Sequence, residues 1–192
     1  MKIILLRHTS LDVEPDTFYG QSDVDVGKTF LDEVVNIKKK LKYLGVLKLE
    51  TKVITSPLQR CKKLAEKLTN NFKTDVRLKE LNFGDWEMLR VDEITKKELE
   101  KWNDNLMNFK IPNGESNKMF FNRVSSFCDD YIYSEENLFL ICHAGTINCI
   151  ISYLTNVPFE QLVNENWKRI KYGSITILER NDNTFQIKNF AV

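Results

Sequence analysis

The chain has 192 residues, 42% of them hydrophobic and 29% charged, with a formal net charge of +1. That length suits one domain with a sizeable core. The near-neutral charge argues against a nucleic-acid or acidic-membrane partner, and no apolar run is long enough to span a bilayer. Met1-Lys2 leads into Ile3-Ile4-Leu5-Leu6, but this run is too short for a signal core and ends in charge. The four cysteines, Cys61, Cys128, Cys142 and Cys149, form no CxxC pair and no zinc spacing. They are expected to be reduced, mostly buried thiols of a cytoplasmic protein.

Lys2 to Leu6 reads as a strand buried on both faces. It delivers Arg7-His8-Thr9-Ser10 at its C-terminal end, the usual address of a ligand site in an α/β sheet. A polar loop from Thr9 to Lys28 follows. Its Tyr19-Gly20-Gln21 is either a simple turn or a substrate-facing loop, and its place directly after Arg7-His8 favours the second. A helix is expected from Phe30 to Leu44, with Val34, Ile37, Leu41 and Leu44 on one stripe and Gly45 ending it. Lys38-Lys39-Lys40 fans around the outer face and reads as solvated surface.

Lys52 to Thr55 is a second short strand. Ser56 then reads as an N-cap and Pro57 as the first residue of a helix to about Leu68. Arg60 would sit in its first turn, beside free N–H groups and the positive dipole end, which favours an anion. Glu80 and Glu87 flank an aromatic turn; a carboxylate near Leu81, Phe83 and Trp86 can be desolvated into a general acid. Residues 91–110 and 117–133 read as helices, the second carrying Phe120, Val124, Phe127 and Tyr131. The break at 111–116 could place Asn113-Gly114-Glu115 over a site as a lid. Leu138 to Cys142 is a third buried strand, ending in His143-Ala144-Gly145, with a helix carrying Ile147, Ile150, Ile151 and Leu154 behind it. Two final runs, Ser174 to Leu178 and Phe185 to Phe190, read as a hairpin turning at 181–183 and closing a sheet edge.

The chain has only two histidines, and both end apolar strands. Arg7, His8, Arg60 and His143 near strand ends, with Glu80, describe a doubly cationic pocket for a tetrahedral dianion. A neutral imidazole is a competent nucleophile toward phosphorus, and such a pocket neutralises a transferring phosphoryl group.

Leu6-Arg7-His8-Thr9, Thr55 to Cys61, Leu78-Lys79-Glu80, Phe83 to Glu87, Gly114-Glu115-Ser116 and His143-Ala144-Gly145 together resemble the histidine phosphatase superfamily, in order and across nearly the whole chain. The resemblance implies a three-layer α/β/α sandwich around a mostly parallel sheet. It implies that His8 becomes phosphorylated, that Arg7, Arg60 and His143 hold the phosphate, and that Glu80 protonates the leaving group and then activates water. No metal or other cofactor is implied, and the partner is a small phosphorylated metabolite. Thr9, Tyr19, Gly20, Gln21 and Ala144 would complete the substrate site. Arg7 to Ser10 followed by Tyr19 to Val24 looks most like the alpha-ribazole phosphatases of cobalamin assembly; the alternatives on the same fold are a broad-specificity sugar or metabolite phosphatase, a bisphosphoglycerate-dependent phosphoglycerate mutase and, less favoured, a non-catalytic phospholigand-binding module. Thr9, Ser10 and Met88 depart from the residues common in the superfamily, at the pocket's edge.

Overall fold

A run of Ile and Leu with no polar interruption folds well only where both faces are covered. In the computed structural model this holds for β1 (Lys2–Arg7), whose Ile4, Leu5 and Leu6 are fully buried. The structure describes residues 1–131, 134–166, 168–182 and 184–192. After β1 the chain forms α1 (Phe30–Tyr43), β2 (Thr51–Thr55), α2 (Gln59–Leu68) and a two-residue β3 (Lys73–Thr74). Then come α3 (Lys96–Asp104), α4 (Asn117–Asp129), β4 (Asn137–Cys142), α5 (Ala144–Thr155), α6 (Phe159–Asn166), β5 (Ile175–Asn181) and β6 (Thr184–Asn189).

The strands form one sheet in the order β3-β2-β4-β1-β5-β6. The first four run parallel, and β5 and β6 run antiparallel as the expected hairpin at the edge. Of that hairpin's turn, Asn183 lies outside the described residues, as does Tyr133 of the expected 117–133 helix.

Side chains alternate across the sheet with the strand period of two. Ile3 and Leu5 of β1, with Leu138 and Leu140 of β4, pack against α4, α5 and α6. Ile4, Leu6, Phe139 and Ile141 face the opposite way, against Phe30, Val34, Ile37 and Leu41 of α1 and Cys61, Leu64 and Ala65 of α2. The result is the three-layer sandwich implied by the resemblance. Each fully buried Leu or Ile contributes about 1.5–3 kcal/mol relative to exposure.

Several local expectations give way. α2 begins at Gln59, with Leu58 as its N-cap, so Ser56 and Pro57 precede the helix rather than open it. The expected helix over 91–110 shrinks to α3, because Thr95 caps it, accepting from Glu98 N, and Asn105 leaves helical geometry. α6 was not anticipated. Segment 111–116, read from sequence as a lid candidate, lies against a neighbouring turn. Glu115 N donates to Asn82 O at 2.9 Å and Asp85 N to Pro112 O at 2.9 Å, which docks it on the turn at 82–85. Gly84 is required there: its φ is +48° and a Cβ would stand 2.1 Å from Pro112 O.

Candidate active site

Strand register brings the histidines together. Arg7 of β1 pairs with Cys142 of β4 in a parallel ladder, so the next residues, His8 and His143, leave neighbouring strand ends side by side. His8 N donates to Cys142 O at 3.1 Å, extending the ladder one residue beyond β1. The two ring centroids are 5.2 Å apart, nearly edge to face. Both residues are 1% exposed.

The tautomers follow from the partners. His8 Nδ1 lies 2.7 Å from Thr9 O. A carbonyl only accepts, so Nδ1 carries the proton and Nε2 keeps its lone pair. Arg60 Nε donates to His143 Nδ1 at 3.3 Å, and His143 Nε2 in turn donates to Ser56 Oγ at 2.8 Å. Burial first, then the nearby guanidinium groups, hold both imidazoles well below the ordinary histidine range. Both are therefore neutral at pH 7. Ser56, read from sequence as a helix cap, is thus the partner of His143; the strand-end position of Ser56 next to β4 was the available signal.

Arg7 donates from Nη1 to Ile170 O at 2.7 Å, and its guanidinium lies 4.0 Å from the centroid of the Tyr172 ring. The hydroxyls of Tyr172 and Tyr19 are hydrogen-bonded to each other. Sequence reasoning missed Tyr172. It stands just before β5, which runs antiparallel to β1, so the start of β5 and the end of β1 meet at the site. Arg60, in the first turn of α2, is fully buried. It donates to Ser22 O at 2.8 Å and Gly20 O at 2.6 Å, tying the loop after β1 to the histidines. Glu87 fixes the same loop, accepting from Gln21 N at 2.7 Å and Ser22 N at 3.0 Å, and from Phe83 N at 3.0 Å. It is a strut between two loops and does not line the cavity.

Glu80 leaves an irregular segment below α5. Its Oε2 accepts from Gly145 N at 2.9 Å and its Oε1 from Leu81 N at 3.0 Å. Desolvation outweighs these bonds and raises its pKa above the ordinary carboxylate value. A Cβ at Gly145 would lie 2.4 Å from Glu80 Oε1, so a side chain there would displace the carboxylate. Cys61, beside His143, is fully buried and its thiol is pushed up to about 12, so it stays protonated.

A cavity of about 350 Å³ joins these groups, lined by Arg7, His8, Tyr19, Gly20, Arg60, Glu80, His143 and Ala144. Thr9 and Gln21 stand outside it. Thr9 is fully buried, and Gln21 donates its side-chain amide to Glu80 O at 3.0 Å. The outer wall is mostly apolar, with Phe18, Phe83, Trp102, Leu106, Phe120 and Phe159 beside the polar Thr17, Asn117 and Asn148. Among the described residues, Arg7 and Arg60 are the only cations lining the cavity.

The histidine phosphatase superfamily (branch 1) model matches residues 3–192. The chain belongs to this superfamily. This histidine phosphatase is 30% identical over 176 residues to Putative phosphoserine phosphatase 2 of Hydrogenobacter thermophilus, covering 85% of this chain and 83% of that one. It is 28% identical to Probable phosphoglycerate mutase GpmB of Escherichia coli, covering 82% and 76%. An alpha-ribazole phosphatase from Shigella flexneri shares the fold, with a TM-score of 0.84 at 21% identity over 100% of this chain and 96% of that one. The histidine phosphatase is accordingly an enzyme of this superfamily, and none of its described helices is long and apolar enough to cross a membrane.

Proposed function

We propose that this histidine phosphatase hydrolyses phosphomonoesters through a phosphohistidine on His8. The observation that carries this reading is the tautomer of His8. Its Nδ1 is committed to Thr9 O, and its unprotonated Nε2 is left beside two guanidinium groups. A phosphate dianion is held between Arg7 and Arg60 with the His143 ring beside it, and its charge favours protonation of that ring. His8 Nε2 attacks phosphorus, the N–P bond forms and the P–O bond to the leaving group breaks. Glu80, whose pKa burial raises above the ordinary carboxylate value, gives its proton to the departing oxygen. The Glu80 carboxylate then takes a proton from water, whose oxygen attacks phosphorus. The N–P bond breaks, releasing phosphate and restoring His8 and protonated Glu80. Fixed charges at the transferring group supply most of the rate enhancement.

The outer wall supports a finer reading. Its aromatic lining suits a flat, uncharged leaving group such as the nucleoside of alpha-ribazole phosphate, and it offers no further cation for a substrate carboxylate. Similarity to a phosphoglycerate mutase favours a second reading, bisphosphoglycerate-dependent interconversion of phosphoglycerates. Steady-state rates on alpha-ribazole phosphate, phosphoserine, fructose bisphosphate and 3-phosphoglycerate, with His8→Ala as control, separate these readings. The expected result is hydrolysis fastest for alpha-ribazole phosphate, with an acid-labile phosphoenzyme trapped during turnover. Phosphoglycerate interconversion exceeding hydrolysis would establish the mutase instead.

A further inference from the structure

Glu80 lies on a stretch with no regular ladder, yet its carboxylate is held at a fixed place. A backbone without helix or sheet must find other partners for its buried carbonyls. Gln21 reaches Glu80 O at 3.0 Å and Thr146 Oγ1 reaches Lys79 O at 3.2 Å, but a single side chain on α4 spans three carbonyls of the stretch. Arg123 donates from Nη1 to Arg77 O at 2.9 Å and Lys79 O at 3.0 Å, and from Nη2 to Glu80 O at 3.1 Å. The same guanidinium makes a two-pronged pair with Glu115, Nε to Oε1 at 2.8 Å and Nη2 to Oε2 at 2.7 Å. Glu115 Oε2 also accepts from Asn82 N at 3.0 Å. Arg123 and Glu115 therefore grip the chain on both sides of Glu80.

We infer that the Arg123–Glu115 pair is the positioning device for the proton donor, fixing the backbone that carries Glu80 while Gly145 N fixes its carboxylate. A guanidinium is needed because five donors in a plane can serve three carbonyls and a carboxylate at once, which an ammonium cannot. Neither residue lines the cavity, so neither touches substrate. The inference rests on Glu80 acting as the acid in the proposed reaction.

The test exploits leaving-group dependence. An alkyl phosphate needs a proton on its departing oxygen; 2,4-dinitrophenyl phosphate leaves well without one. kcat/KM, which reports formation of the phosphoenzyme, is measured for both with wild type, Glu80→Gln, Arg123→Ala, Arg123→Lys and Glu115→Gln. Thermal melts establish which variants are folded. Arg123→Ala is expected to lose about 10- to 100-fold on the alkyl ester, within the range of general-acid contributions, and less than about threefold on the dinitrophenyl ester. Arg123→Lys and Glu115→Gln should show the same selectivity with smaller losses, and they carry the test if Arg123→Ala does not fold. Combining Arg123→Ala with Glu80→Gln should add little to the loss from Glu80→Gln alone. Equal losses on the two esters, or none, in folded Arg123 variants would overturn the inference while leaving the reading of Glu80 intact. A Glu80→Gln enzyme without leaving-group selectivity would instead remove Glu80 as the acid, and the inference with it.

Discussion

The floor of the cavity and its outer wall are assembled by different means. The floor comes from the ends of regular elements: β1 supplies Arg7 and His8, β4 supplies His143, and the first turn of α2 supplies Arg60. Ladder register and helix position fix these groups, and hydrogen bonds spend their remaining freedom. The wall comes from loops and short helices, with Phe18 after β1, Trp102 on α3, Leu106 beyond it and Phe159 on α6. It is mostly apolar and holds its shape by ring contacts, such as Phe18 to Trp102 at 5.9 Å. The proposed nucleophile and phosphate ligands thus stand on the ends of regular elements, and the proposed leaving-group contacts lie largely beyond them, as in many α/β enzymes.

Replacing the proposed nucleophile tests the floor most severely. His8→Ala should lower kcat by at least about 10⁴-fold on every phosphomonoester and abolish the trapped phosphoenzyme, by analogy with the loss of other covalent nucleophiles. Acid quench and labelling read out the intermediate. Retained labelling in the mutant would mean that the floor does not work through His8.

Glu80→Gln comes next, with an expected loss of about 10²–10⁴-fold in kcat/KM on alkyl phosphates. pH dependence sharpens the point. His8 must be unprotonated, so kcat/KM falls as pH drops through its pKa, which lies well below 6.5. Glu80 must be protonated, so kcat/KM falls as pH rises through its pKa, which lies above the ordinary carboxylate value. The profile on alkyl esters should therefore have an acid limb set by His8 and an alkaline limb set by Glu80. Glu80→Gln should remove its alkaline limb, as measured from pH 4 to 9 (about the range over which these groups titrate).

A smaller effect is expected where the floor meets α5. Gly145→Ala places a methyl group 2.4 Å from Glu80 Oε1, so the carboxylate must shift. Misplacement on this scale should cost about 10- to 100-fold in kcat/KM on alkyl esters. A crystal structure of the variant would show whether the carboxylate has moved.

The smallest change, and the one aimed at the wall, is Leu106→Arg. It adds a cation to a wall that has none among the described residues. The ratio of kcat/KM for 3-phosphoglycerate to that for alpha-ribazole phosphate should rise about tenfold, one charge-assisted contact's worth. A dinitrophenyl phosphate control should change little. An unchanged ratio would mean that the wall does not select the leaving group.

Much of the floor was legible before any coordinates. Ile3 to Leu6 and Leu138 to Cys142 are apolar runs that fit only buried parallel strands, and a histidine at the end of each marks a site. Arg60 was legible through its place after β2, although the helix starts at Gln59 rather than at Pro57. Ser56-Pro57 carries a helix-start signal, but the Ser56 hydroxyl is engaged by His143 Nε2 and only weakly by Leu58 N at 3.4 Å. Tertiary demand overrode a local preference there. Tyr172 and Arg123 gave no local signal, because each acts on a segment far away in sequence: Arg7 lies 165 residues before Tyr172, and Arg123 grips carbonyls 43 to 46 residues earlier.

The sequence by itself determined which strands are buried, which side chains stand at their ends and which superfamily the motifs resemble. These properties are written in short-range hydrophobic pattern and in the order of motifs along one chain. Only the tertiary structure decided the tautomer of His8, the partner of His143, the desolvation of Glu80 and the removal of segment 111–116 from the cavity. Each of those depends on which distant atoms fill the space around a group, and that is set by packing and strand register rather than by neighbours in the chain.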